Sequence, residues 1–212
     1  MSTIEWLILF NFSLVVCSII YLVWVVGRRR KQAEFHIRLI TILTSTVALR
    51  ELLERVAIEV KQATSATQAF FFVYKPDSRF VTSGTQGYIR PSVSDCHILE
   101  AYFYRTGQDF IRPYMLHSEA EIRRLLKSYR AEFVMPLQRG DEIIGFIFLG
   151  ARVKRTYSPY DIGMVFDIKD QLAIAIQNAV SLEAVKELNI HLQQRIDDAT
   201  EELRKSNEQL RG

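Results

Sequence analysis

From Pro159 to Leu210 the chain has no further proline and only one glycine, Gly163, and over the second half of that stretch its apolar residues return at alternating steps of three and four. About fifty residues without a helix breaker, carrying a 3.5-residue period, form one long helix that must cover its stripe with a partner helix. The stripe is Leu182, Val185, Asn189, Leu192, Ile196, Ala199, Leu203, Ser206 and Leu210, an a/d register of about four heptads. Asp197-Asp198 and Glu201-Glu202 keep the other faces charged. The expected partner is therefore a second copy, giving a homodimeric coiled coil. Asn189 at an a position lowers stability but sets register, and Ala199 and Ser206 weaken the d layer. Ser158 as N-cap and Pro159 in the first turn mark the start of the helix.

At the other end, Trp6 to Val26 is a run of about 21 residues without a charge, long enough as a helix to span roughly 30 Å. It stops at Arg28-Arg29-Arg30-Lys31. No basic start precedes the run and no small-residue cleavage site closes it, which argues against a secretory signal. Trp6 and Trp24 stand near its ends. The expectation is a single-pass transmembrane helix in the cell membrane, with the N-terminus outside and everything beyond Arg28 cytoplasmic.

The net charge of +3 is local, because setting those four cations aside leaves the remainder slightly acidic. No broad basic surface remains for nucleic acid. Cys17 lies in the apolar run and Cys96 is alone beyond it, which excludes a disulfide framework and a CxxC metal site.

Between these ends, Leu39, Leu43, Val47, Leu52, Leu53, Val56 and Val60 recur at helical spacing, as one long helix or two with a break near Ser45. Phe70 to Tyr74 reads as a strand, Lys75-Pro76-Asp77-Ser78 as a turn and Phe80 to Ser83 as the hairpin partner. Gly84 to Asp95 reads as a loop, with Asp95 capping a helix from Cys96 to Arg105. Phe110-Ile111 suggests a short strand, and Ser118 to Glu121 a capping box. Glu132 to Gln138 and Glu142 to Ala151 flank the turn Arg139-Gly140-Asp141, a second hairpin.

The segments Glu132 to Leu137, Gly140 to Gly150, Tyr157-Ser158-Pro159-Tyr160-Asp161 and Gln171 to Ala179, in this order and spacing, resemble the C-terminal half of a GAF domain. Arg50 to Val56 is similar to that family's first helix and Phe70 to Tyr74 to its first strand. The resemblance implies an α+β fold: an antiparallel sheet of five or six strands, first and last helices on one face, and a small-molecule pocket on the other. The domain plan is then residues 1–31 as anchor with basic flank, 32–45 as connecting helix, 46–182 as GAF domain and 183–212 as coiled coil. A membrane helix before and a coil after are similar to the sensor portion of bacterial membrane-bound histidine kinases. The implied role is a sensory and signal-transmission module feeding an output domain beyond this chain, a histidine kinase or alternatively a diguanylate cyclase. A stand-alone, membrane-tethered interaction module is a further alternative.

No catalytic constellation accompanies this pattern. His191 is followed by Leu192-Gln193-Gln194-Arg195 rather than the phosphoacceptor run of histidine kinases, and no Gly-rich nucleotide loop occurs. His36, His97, His117 and His191 are scattered, which speaks against a metal site. Bilin-holding relatives place a Cys-His pair just before the strand equivalent to Glu132 to Leu137. Here Cys96-His97 lies far upstream and that place carries Leu116-His117-Ser118, so bilin is disfavoured. The cyclic-nucleotide signature is missing as well, and no particular cofactor is implied. A single cysteine also disfavours thiol reductases of this fold. The resemblance puts Tyr102, Phe103, Tyr104, Phe110, Arg112, Tyr114 and Met115 over the ligand face, and of these Tyr102, Phe110, Arg112, Tyr114 and Met115 are the pocket candidates.

Overall fold

The computed structural model describes residues 3–45, 48–75, 79–153 and 156–211, and leaves the side chains of residues 3–11, 13, 204, 206–208, 210 and 211 undescribed. The Lys75-to-Ser78 turn, apart from Lys75, and Val47 lie outside the described residues. Two compact units are present, residues 1–41 and 42–212.

The first unit is helical and belongs to α1, Thr3–Leu43. Within it Tyr21 stacks on Trp24 at 6.2 Å, and the Arg28 guanidinium lies 3.8 Å from the Trp24 ring centre. The expected transmembrane segment is corrected here: among the described residues no helix is long and apolar enough to cross a membrane. The uncharged run is the front of a helix that continues without a break through Arg28-Arg29-Arg30-Lys31. The single-pass cell-membrane placement, with its outside N-terminus and cytoplasmic domain, is withdrawn with it. The Trp6 end of the run lies outside the described side chains.

In the second unit, Ser45 accepts no further helical turn and closes on Ile42, its N–H and Oγ both donating to the Ile42 carbonyl. The chain restarts as α2, Leu49–Thr64, whose Leu49, Leu52, Leu53, Val56, Ala57, Val60 and Thr64 bury one face at three- and four-residue spacing. Ser65, left-handed at φ 56°, ends it. The sheet comprises β1 (Ala69–Tyr74), β2 (Phe80–Gly84), β3 (Ala131–Arg139) and β4 (Glu142–Gly150), all antiparallel in the order β2-β1-β4-β3. Among the described residues four strands thus stand where five or six are expected; Ile111 adds only a bridge to Val134, and Ala66 one to Arg152. Gly140, left-handed at φ 59°, makes the β3–β4 turn. Pro136 is tolerated because β3 is last in the strand order.

Side chains alternate across the strands. Phe70, Phe72, Val134, Phe146 and Phe148 face α3 (Val93–Thr106) and α4 (Ala120–Ser128), forming one buried cluster with Leu99, Phe103, Ile122 and Leu126. Phe70 stacks on Phe148 at 4.7 Å and Phe103 on Phe146 at 5.9 Å. Phe71, Val73, Ile147 and Leu149 alternate with these residues and face α2 and α5, Pro159–Arg211. Met164, Val165, Ile168, Leu172 and Ile176 bury the early turns of α5. The N-cap of α3 is Ser92 rather than Asp95, since the Ser92 Oγ accepts from the Asp95 N–H at 3.1 Å. Ser118 does not cap α4, whose N-cap position is Glu119. At α5 the capping is reciprocal: Asp161 Oδ2 accepts from the Ser158 N–H at 2.8 Å, and Ser158 Oγ from the Asp161 N–H at 3.3 Å.

Candidate functional site

The sheet face under α3 and α4 is filled by aromatic rings, which leaves the expected hollow there largely occupied. The space lies instead at one end of the sheet, where the last residues of β1 and the β3–β4 turn come together. A cleft of about 530 Å³ opens there. Antiparallel pairing explains its position: Val73 stands opposite Gly145 and Arg139 opposite Glu142, so the residues leaving β1 arrive beside both arms of the hairpin.

Two helical layers contribute walls. Val93, His97 and Glu100 come from α3, and Ile176, Gln177 and Val180 from α5; Tyr74, Lys75, Phe80, Arg139, Glu142, Ile143 and Ile144 complete the lining at the sheet end. The Tyr74 hydroxyl donates to Glu100 Oε2 at 3.1 Å, and its ring stacks on His97 at 6.0 Å. Burial, reinforced by the Glu100 carboxylate, pushes the Tyr74 hydroxyl well above the usual phenol range, so it remains a hydrogen-bond donor. Lys75 Nζ pairs with Glu183 Oε2 at 2.5 Å, both side chains being mostly buried. The second Glu183 oxygen accepts from the Leu49 N–H at 2.8 Å. One turn further along α5, Arg79 pairs with Glu187 at 2.9 Å. The exit of β1, the start of α2 and the mid-part of α5 are therefore tied at one carboxylate.

None of the five pocket candidates lines this cleft. Tyr102 is buried in the α3–α4 cluster, its hydroxyl donating to Gln108 at 3.1 Å. Phe110 lies on the α5 side, stacked on Phe133 at 5.3 Å and edge-on to Phe166 at 5.7 Å. Arg112 is buried, and its Nη1 donates to the Tyr157 carbonyl and the Tyr114 hydroxyl, both at 3.3 Å. Its Nε is the one buried side-chain nitrogen or oxygen without a partner among the described residues. Tyr114 is exposed and Met115 half-buried in the short turn Pro113–Met115. These residues are divided between two faces because Ile111 pairs with the β3 edge and sends its neighbours to the opposite side.

Along α5, Leu182 is half-buried, while Val185, Asn189, Leu192, Ile196 and Leu203 are exposed; the side chains of Ser206 and Leu210 lie outside the described residues. Cys96 is fully buried in the α3 cluster, and burial together with Asp95 and Glu100 pushes its thiol far above the ordinary value. Among the described residues no group of three or more His, Cys, Asp or Glu converges as a metal site.

The cleft residues escaped the sequence reading because each is ordinary in its own segment. The available signal was positional: Lys75 and Arg139 both end strands that turn back at the same end of an antiparallel sheet.

No family profile matches the chain and no curated protein sequence matches it. Solved structures share its fold. The GAF domain of a phosphoenolpyruvate-protein phosphotransferase from Coxiella burnetii superposes with a TM-score of 0.54 at 14% identity, covering 73% of this chain and 98% of that one. The phycocyanobilin-bound GAF domain of a cyanobacterial phytochrome gives 0.52 at 13% identity, covering 72% and 94%. A phycoerythrobilin-bound GAF domain, also from a cyanobacterial phytochrome, gives 0.51 at 18% identity, covering 72% and 96%. The four-stranded sheet with its flanking helices is thus GAF-like.

Proposed function

We propose that this chain is a sensory and signal-transmission module in which a GAF-like domain reads a small-molecule signal and passes it along α5 to an output domain. The observation that carries the reading is the continuity of α5. Its first turns are part of the domain core through Leu172 and Ile176, and the same helix runs on to Arg211 with an exposed apolar stripe. A helix rooted in a core and unbroken beyond it transmits a shift of that core as a rotation or translation of its far half.

The stripe of Val185, Leu192, Ile196 and Leu203 is the seam of a homodimer in this reading, with Asn189 setting its register. A ligand that binds two packings of the domain unequally changes their populations and so the geometry of the coil. A histidine kinase is the output we favour, because a parallel two-helix coil feeds directly into its dimeric core; a diguanylate cyclase would use the same input.

Sedimentation equilibrium of the full chain tests the central claim. A dimer that becomes monomeric when Ile196 is replaced by Glu is expected. A monomer at every concentration for the unaltered chain would remove the transmission route.

A further inference from the structure

The cleft at the end of the sheet is both charged and apolar. Ile143, Ile176 and Val180 supply apolar lining, and Lys75, Arg139, Glu100 and Glu142 supply charges of both signs. With the Glu183 carboxylate counted beside Lys75, acids outnumber bases around Lys75 and Arg139, which disfavours a simple anion. We infer that the cleft binds a small amphipathic zwitterion, an α-amino acid with an apolar side chain, whose carboxylate takes Lys75 and whose ammonium takes Glu100 and Glu142. This rests on the sensory reading above and names the class of ligand sensed.

The volume of about 530 Å³ is ample for such a molecule. The site also has a built-in consequence. Lys75 already pairs with Glu183, so the ligand carboxylate competes with Glu183 for the same ammonium. Occupancy releases a carboxylate of α5 from the β1 exit while the ligand's apolar body contacts Ile176 and Val180 of that same helix. Binding and a change at α5 are one event.

Calorimetric titration of the full chain with L-phenylalanine, 3-phenylpropanoate and 2-phenylethylamine tests this. L-Phenylalanine is expected to bind, with each single-charge analogue at least about tenfold weaker, because each leaves either Lys75 or the Glu100 and Glu142 carboxylates without a ligand charge. Lys75→Met should weaken L-phenylalanine about tenfold or more, whereas Glu183→Gln should tighten it severalfold by freeing Lys75. Both changes break the same ion pair, so a merely structural effect would move affinity in one direction for both. Glu142→Gln, at an exposed position, should weaken binding with the fold intact. Absence of L-phenylalanine binding at 10 mM, equal affinity for all three probes, or weakening by Glu183→Gln would each overturn the inference. Binding can be measured whether the chain is a monomer or a dimer, and sedimentation reports association without ligand, so this failure is distinct from a failure of the dimer.

Discussion

Lys75 and Glu183 are more than a hundred positions apart in the chain yet meet at 2.5 Å, and Glu183 completes the contact by accepting the Leu49 N–H at 2.8 Å. One carboxylate satisfies an ammonium and a helix-start amide in a mostly buried setting. Replacing Glu183 by Ala strands both donors and should lower stability by about 1–3 kcal/mol. Urea denaturation followed by far-UV dichroism measures it. A loss below a few tenths would mean that water satisfies both donors.

The Tyr157 hydroxyl donates to the Gly150 carbonyl at 2.5 Å inside the protein, joining the end of β4 to the segment before α5. Tyr157→Phe keeps the ring and orphans that carbonyl. A loss of about 1–2 kcal/mol is expected in the same assay.

Two glycines should respond oppositely to alanine. A Cβ on Gly145 would lie 2.3 Å from the Phe72 carbonyl oxygen, a backbone atom that moves only by opening the β1–β4 pairing. Gly145→Ala should destabilise by about 2–3 kcal/mol. Gly163 sits in α5 with nothing within 4 Å of its would-be Cβ, so Gly163→Ala should stabilise by about 0.5–1 kcal/mol. Thermal unfolding of the pair settles both signs.

Alkaline pH should weaken the fold. Burial raises the Cys96 thiol above its ordinary value of 9.0, and Tyr74 and Tyr129 are raised by burial in the same sense. A raised acid binds its proton more tightly when folded, so this contribution is complete below about pH 9 and is lost progressively above it as the unfolded chain ionises. Glu187 behaves in the opposite way: Arg79 lowers its value, so its small, exposed contribution is present above 4.5 and fades as pH falls through the folded value. Urea midpoints between pH 3 and 10.5 should decline at both ends. Ellman titration at pH 8 should find exposed Cys17 reactive and Cys96 silent until urea is added.

Asn189→Leu should tighten self-association by removing a polar residue from an a layer and should blunt signalling in any fusion to a dimeric output domain. An unchanged dimer constant would show that Asn189 does not face the seam.

Much of the architecture was readable from local pattern. The β3–β4 hairpin followed from two apolar runs around Arg139-Gly140-Asp141, and α5 from Ser158-Pro159 and the lack of later breakers. These are features that a few neighbouring residues decide. The five or six strands implied by the GAF resemblance are four among the described residues, and the expected short strand at Phe110-Ile111 makes only one bridge, to Val134. The membrane span expected from the uncharged run is not supported, because among the described residues no helix is long and apolar enough to cross a membrane.

Periodicity and turn chemistry act between residues a few places apart, so the amino-acid sequence alone determined most of the helices and strands, where the β3–β4 hairpin reverses, and that α5 bears an apolar stripe. The cleft, the Lys75–Glu183 pair and the division of Phe110 from Tyr102 belong to tertiary structure, because each depends on which strand lies beside which and on what fills the space between layers. Strand order β2-β1-β4-β3 places the exit of β1 against the far hairpin, and the bulk of Phe70, Phe146 and Phe148 closes one face of the sheet. Contacts across such sequence distances depend on packing volume and register, which no local stretch of residues contains.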